Sequence, residues 1–283
     1  MSDENDDAAD LLRKEQRLAD ILNQAAAKNG LVLVAFSGGV DSSLLLWESV
    51  RTLGPTRVIA VTATSPTSIS EEEEAARQFA AELNVRHLIA PSGECADEKF
   101  LANPENRCYL CKLLRYRLLK KLAVDLKITA VLDGTQADDH PSDRPGMRAL
   151  DELGILAPLA QAGIGKAEVR ALLRTAGFSQ LAEKMAQPCL ATRVPTGRPI
   201  TLEALEMIRL GERLLKDCGF VTFRLRHHFP LARIVTDAKG MSQILTDKGL
   251  RKKLVSGLQE VGYNLVTLDL QEYGSNSGLG AHI

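Results

Sequence analysis

The stretch Leu31-Val32-Leu33-Val34-Ala35-Phe36-Ser37-Gly38-Gly39-Val40-Asp41-Ser42-Ser43-Leu44-Leu45-Leu46 decides the fold. Its first six residues, five of them Leu, Val or Phe, have the length and composition of a strand buried on both faces. Two glycines follow at once, then a Ser/Asp cluster, then an apolar segment ending in Trp47. The pattern predicts a strand, a tight turn and the N-terminus of a helix. Unpaired N–H groups in a first helical turn, with the positive end of the dipole behind them, make an anion site. Glycine admits positive φ and removes side chains that would keep a phosphate at a distance. Ser37, Ser42 and Ser43 add hydroxyl donors. Neither Gly-Lys-Ser/Thr nor Gly-x-Gly-x-x-Gly is present, so this is not a Walker A loop or a dinucleotide fingerprint.

Outward from this loop, strands alternate with helices. On the N-terminal side a disordered acidic start leads into an amphipathic helix over Ala8 to Lys28, ended by Asn29-Gly30. On the other side a helix runs through Leu53 to Gly54-Pro55. Strands are expected over Arg57 to Thr62, Arg86 to Ala90 and Ile128 to Asp133, and helices over Ser70 to Leu83, Cys108 to Lys127 and Gly165 to Ala176. Ser70-Glu71-Glu72-Glu73 has capping-box spacing, and acidic residues in a first turn answer the helix dipole better than they imply a metal. This alternation predicts an α/β, doubly wound parallel sheet with its ligand beyond the carboxyl ends of the strands. Ser37–Ser43, Thr62–Pro66 (with Thr64) and Asp133-Gly134-Thr135 all fall there. Beyond Pro188 the expected order is a helix over Thr201 to Cys218, strands Val221 to Arg226 and Leu231 to Thr236, helical residues Gly240 to Gly262, and a strand Asn264 to Leu270. That is a smaller α+β domain. The expected divisions are therefore 1–17, a disordered and helical extension; 18–187, the doubly wound domain; 188–273, the α+β domain; and 274–283, a flexible Gly/Ser-rich tail.

The 283 residues suffice for two domains with a well-buried core. A net charge of -1 gives no bulk electrostatic case for a nucleic-acid partner. No segment has the apolar length of a membrane span, and the acidic N-terminus is unlike a secretory leader. Five cysteines, an odd number, argue against a disulfide framework and for a reducing, cytoplasmic setting.

Cys108-Tyr-Leu-Cys111 opens a predicted helix, and Cys189 lies at the domain junction. A Cys-x-x-Cys pair alone is compatible with redox chemistry, zinc or an iron–sulfur cluster, and also with two buried, inert thiols. No second pair completes a structural zinc site. Three thiolates without a fourth ligand suit a [4Fe-4S] cluster with one open iron, able to hold an extra sulfur. Arg107, Lys112 and the helix N-terminus would lower the thiol pKa. Cys189 alone reads as core, but its polar loop with Thr192, Arg193 and Gly197 favours function. Cys95 and Cys218 read as packing residues.

The loop resembles the Ser-Gly-Gly-x-Asp-Ser pyrophosphate loop of enzymes that cleave ATP between the α- and β-phosphates and attach AMP to a carbonyl or carboxyl oxygen. From about Leu18 to about Ser277 the chain is similar to LarE-type ATP-dependent sulfur transferases of nickel-pincer nucleotide cofactor biosynthesis. The similarity rests on Ser37–Ser43, Asn106-Arg-Cys-Tyr-Leu-Cys-Lys112, Asp133-Gly-Thr-Gln-Ala-Asp-Asp139, Asp143-Arg-Pro-Gly146, Pro188-Cys-Leu-Ala-Thr-Arg193 and Arg224-Leu-Arg-His-His228. It departs at Thr192, where Ser is expected, and at Gln136, where Asn is usual.

The resemblance implies conversion of the carboxylates of pyridinium-3,5-biscarboxylic acid mononucleotide to thiocarboxylates, with ATP and Mg²⁺. Its three-cysteine type implies a [4Fe-4S] cluster on Cys108, Cys111 and Cys189. Ser37, Gly38, Gly39, Asp41, Ser42, Ser43, Thr64 and Gly134 would serve the nucleotide, Asp41 structurally or through magnesium. Thr192, Arg193, Arg224, Arg226 and Glu212 would serve the substrate, and a homo-oligomer is expected. Arg224 and Arg226 share one strand face and suit a phosphate, although a solvated strand edge would look the same. Glu212 is equally explained by a solvated helix face. His227 and His228 could bind nickel or iron, but neighbours on a strand point oppositely and cannot easily share a metal. Competing readings are a tRNA thiolation enzyme, which wants a basic surface or zinc ribbon; an NAD-synthetase-type ligase, which leaves the cysteines unexplained; and a non-catalytic ATP sensor.

Overall fold

The computed structural model describes residues 2–139, 145–185 and 187–273, with side chains from Ala9 onward except that of Pro145. Asp143 and Arg144 of the Asp-Arg-Pro-Gly motif and the Gly/Ser-rich tail from Gly274 lie outside the described residues. The chain forms two compact units, one from residues up to Glu94 with Asn106–Gln187, the other from Cys95–Glu105 with residues from Pro188 onward. Cys95–Glu105 joins the second unit through the backbone: Ile200 N donates to Leu101 O and Gly197 N to Asn103 O, both at 2.8 Å.

The first unit is built on β1 (Leu31–Ala35), β2 (Val58–Thr64), β3 (Arg86–Pro91) and β4 (Ile128–Leu132), in the order β3-β2-β1-β4. All pairs are parallel. The alternation of the strands divides the core in two. Val32, Val34, Val58 and Ala60 pack with Leu18, Leu22, Leu44, Leu45 and Leu173 on one face. Leu33, Ile59 and Val61 pack with Tyr116, Leu119 and Leu150 on the other. Helices on both faces bury both sides of the sheet, which is why β1 carries no polar residue.

Two local expectations for this unit are corrected. The first helix runs from Ser2 to Ala26, so the acidic start continues it rather than being disordered. The helix Ser70–Glu82 has Ile69 at its N-cap and no side-chain cap bond, so the capping box does not form. Instead Glu73 pairs with Arg77 at 2.8 Å, one turn on.

The second unit holds the hairpin β5 (Phe223–His228) and β6 (Leu231–Thr236), antiparallel, with β7 (Leu265–Leu268) parallel to β6. β5 reaches two residues beyond the expected Arg226. The helical stretch is broken in two, Ala238–Thr246 and Lys248–Val261, because Asp247 ends one helix and caps the next by accepting from Leu250 N at 3.0 Å. Leu215, Leu225, Ile234, Leu254 and Leu258 form its core.

Burial holds the pKa of three histidines below the ordinary 6.5: His87, aided by Arg77; His227, aided by His228; and His228, aided by Arg233. His87 Nε2 is 2.8 Å from Thr62 Oγ1, whose own hydroxyl donates to Phe36 O at 2.7 Å, so the imidazole is the donor. The unfolded chain takes up protons near the ordinary value while the native chain does so only at lower pH. Stability is then full above that value and declines as pH falls through it. Urea midpoints measured from about pH 8 to about pH 5 should fall, and His87→Gln should flatten the curve. A midpoint that rises on acidification would contradict this sign.

Candidate active site

Gly38 has φ +74°, the left-handed region, and Gly39 caps the helix Val40–Leu53. The serines knit this turn together. Ser42 Oγ donates to Gly39 O at 3.1 Å, lies 3.1 Å from Ser37 Oγ and accepts from Ser37 N at 3.3 Å. Gly39 N donates to Ser37 Oγ at 3.3 Å. Ser43 is buried on the helix side, and its Oγ has no hydrogen-bond partner among the described residues. Asp41 pairs with Lys166 Nζ at 2.6 Å.

A cavity of about 300 Å³ opens against this turn. Ser37, Gly39, Asp41, Ser42 and Gly134 line it, and so do Cys111, Lys112 and Arg115 from the helix Arg107–Asp125. Gly134 passes so close to the turn that a Cβ there would sit 2.8 Å from Ser42 N. Beside it Asp133 accepts from Tyr116 OH at 2.6 Å, from Thr135 N at 2.9 Å and from Thr135 Oγ1 at 2.5 Å, with Lys112 Nζ 4.0 Å away. Burial, then the charge of Asp133, pushes the Tyr116 phenol far above its ordinary range. Arg115 is fixed by Glu94, whose buried carboxylate it meets at 2.6 Å. Burial, the largest single influence, works against that carboxylate's charge, but the Arg115 guanidinium, the Ser92 hydroxyl and a backbone N–H together outweigh it and the pKa falls. Gln136, buried, spans Asp139 Oδ1 at 3.1 Å and Asp138 N at 2.8 Å.

Of the expected nucleotide residues, Gly38, Ser43 and Thr64 stand outside the cavity lining. Val61 and Ala63 of β2 line it, and strand alternation turns Thr64 the other way. Lys112, Arg115, Glu94 and Asp133 were not expected as a group. They come from three segments: the Asn106–Lys112 motif pointed to this helix and Asp133-Gly134-Thr135 to the strand end, but no local signal joined either to Glu94.

In the second unit Arg193 is 1% exposed and grips Glu212 with both arms, Nε to Oε1 at 2.9 Å and Nη2 to Oε2 at 3.0 Å. Its Nη1 also donates to Pro188 O at 2.5 Å and to Cys189 O at 3.1 Å. Glu212 accepts in turn from Leu225 N at 3.1 Å. Arg193 and Glu212, expected at the substrate, therefore clamp the Pro188–Arg193 turn against the helix Leu202–Asp217 and β5. Thr192 Oγ1 closes the same turn onto Cys189 O at 2.8 Å.

Arg224, Arg226 and His228 share one face of β5, where Arg226 stands opposite Arg233 of β6. Like charges directly opposed are unfavourable. Burial, then Arg233 and Arg193, lowers the Arg226 pKa. Arg233 lies 3.4 Å from Asp269, and Arg224 sits 4.8 Å above the Tyr273 ring. This cationic face suits an anion, and Arg233 was missed because its place depends on strand register. His227 turns inward to Tyr263 OH at 2.9 Å, so the two histidines do not share a site.

Cys108 is exposed and Cys111, three residues on, faces the cavity; Cys189 is half-buried in the other unit. Among the described residues no group of three His, Cys, Asp or Glu side chains is arranged to hold a metal. Cys108 and Cys111, three residues apart at a helix start, offer two of the three thiols that a [4Fe-4S] cluster would need. No helix among the described residues is long and apolar enough to cross a membrane.

A parallel sheet, a Gly-Gly turn at a helix N-terminus and a cavity at the strand ends define a PP-loop nucleotide-binding fold, and residues 11–142 match the PP-loop domain model. The chain is 32% identical over 244 residues to pyridinium-3,5-bisthiocarboxylic acid mononucleotide synthase of Lactiplantibacillus plantarum, covering 86% of this chain and 87% of that one. It is 39% identical over 243 residues to an uncharacterized protein of Synechocystis, covering 86% and 90%. It is 29% identical over 251 residues to one of Methanocaldococcus jannaschii, covering 88% and 92%. The chain belongs to the LarE-type family of ATP-using PP-loop proteins.

Proposed function

We propose that the protein is an ATP-dependent sulfurtransferase that converts carboxylates of pyridinium-3,5-biscarboxylic acid mononucleotide to thiocarboxylates. The observation that supports this best is the placing of a thiol, Cys111, and two cations, Lys112 and Arg115, in the cavity that the PP-loop lines. A sensor would need the loop but not the thiol. A carboxylate is a poor electrophile, and its oxygen leaves badly. In the proposed reaction that oxygen attacks the α-phosphorus of ATP, and pyrophosphate departs against the N–H groups of the Ser37–Ser42 turn. Catalysis here is positioning and charge stabilisation. Lys112 and Arg115 offset the charge of the phosphates; Asp41, which pairs with Lys166, would either hold the turn or bind a Mg²⁺ that offsets further charge. A sulfur nucleophile then attacks the acyl carbon, and AMP leaves with the substrate oxygen. Arg224, Arg226 and Arg233 hold the substrate phosphate.

Cys108, Cys111 and Cys189 are the proposed ligands of a [4Fe-4S] cluster, which would supply the sulfur when bound. The alternative donor is the Cys189 thiolate. The protein is proposed to be cytoplasmic and homo-oligomeric.

Isotopic pyrophosphate–ATP exchange that depends on the pyridinium dicarboxylate tests the adenylation. Its absence would favour the sensor. In Cys111→Ala the exchange should persist within about threefold while thiocarboxylate product drops about 100-fold, because the thiol serves only the second step. Equal loss of both would contradict that division. Iron and sulfide counting after anaerobic reconstitution of each cysteine-to-Ala variant tests the ligands, and full retention in Cys189→Ala would refute the set of three.

A further inference from the structure

Lys184 belongs to no sequence motif, yet it reaches the most sensitive peptide of the loop. Its Nζ donates to the carbonyl of Gly38 at 3.0 Å and lies 3.5 Å from Glu72 Oε1. The far side of the loop is therefore anchored to two other segments. A Cβ at Gly38 would stand 3.0 Å from the Glu72 carbonyl, so the loop also runs tight against the helix Ser70–Glu82.

The Gly38–Gly39 peptide has two ends that point opposite ways, because a trans peptide holds C=O and N–H antiparallel. The carbonyl turns to Lys184. The N–H turns to Ser37 Oγ, and Ser37 and Gly39 line the cavity while Gly38 does not. A peptide flanked by two glycines has little steric resistance to flipping. Flipped, it would aim a carbonyl oxygen at the place where an anion must bind.

We propose that Lys184 is a positioning residue that pins the Gly38 carbonyl outward and so keeps the Gly39 N–H, together with the Ser37 hydroxyl that accepts from it, on the cavity side where the triphosphate binds. This rests on reading the cavity as the ATP site. The bond is charge-assisted and partly shielded, strong enough to set the preference between two orientations of one peptide.

Calorimetric titration of Mg-ATP and of adenosine into wild-type, Lys184→Met and Lys184→Gln protein tests the assignment. Lys184→Met should weaken ATP about tenfold and leave adenosine unchanged, since adenosine has no phosphates to meet the flipped carbonyl. Lys184→Gln keeps a donor without the charge and should restore ATP binding to within about threefold of wild type. Wild-type ATP affinity in Lys184→Met would overturn the proposal. So would a Gln variant as weak as the Met variant, which would mean that the charge acts on the nucleotide itself. Parallel loss of ATP and adenosine would overturn it too, as a general structural defect. If wild-type protein bound no ATP, the reading of the cavity would fail instead.

Discussion

Gly134→Ala is expected to lower carboxylate-dependent pyrophosphate release by about 100-fold, the scale of a displacement of roughly 1 Å in a catalytic arrangement. The added methyl would lie 2.8 Å from Ser42 N, 3.0 Å from Ser42 Cα and 3.1 Å from Asp41 C. All three are backbone atoms, so no side chain can swing aside. The helix cannot retreat, because its own Leu44, Leu45 and Leu46 are fully buried in the core. The strand-end loop must give way, taking with it Asp133 and the hydrogen bonds of Tyr116 and Thr135. Overpacking should also cost about 1–3 kcal/mol of stability. Pyrophosphate release and urea unfolding measured on one preparation separate the two effects. A wild-type rate in Gly134→Ala would mean that the turn is not where the phosphates bind.

Arg193→Ala should destabilise the protein by about 3–5 kcal/mol, the usual cost of removing one partner of a buried ion pair. Truncation strands the Glu212 carboxylate and withdraws donors from the carbonyls of Pro188 and Cys189. That is a large share of a total stability of about 5–15 kcal/mol. Replacing both partners, Arg193→Met with Glu212→Leu, should recover most of the loss because no charge is left unpaired. Urea titration of Arg193→Met, Glu212→Leu and the double variant closes the cycle. A cost below about 1 kcal/mol for Arg193→Ala would show the pair to be an ordinary surface contact. It would also restore Arg193 as a candidate phosphate ligand.

The parallel sheet and its loop were legible because their signals are local. An apolar run, two glycines and a Ser/Asp cluster in sequence specify strand, turn and helix with no distant partner. The β-β-α-β order of the second unit was legible for the same reason, apart from the interruption at Asp247. Whether a side chain faces ligand or core depends on contacts across the chain, and there the sequence was mute. Arg193 carries the same charge whether it meets a phosphate or Glu212, and only the helix Leu202–Asp217 decides. Thr64 misses the cavity by one step of strand alternation. Glu94 and Lys184 lie 21 and 146 residues from the groups they hold, Arg115 and the Gly38 carbonyl. Arg233 becomes part of a cationic face only through its register with Arg226.

The most direct test of the central claim follows a carboxylate oxygen. Pyridinium dicarboxylate mononucleotide labelled with heavy oxygen in its carboxylates is turned over with ATP under anaerobic conditions, and the AMP is weighed by mass spectrometry. If the carboxyl group is activated by adenylation and then displaced by sulfur, each AMP formed carries one heavy oxygen from the substrate. Unlabelled AMP accompanying thiocarboxylate product would contradict the account.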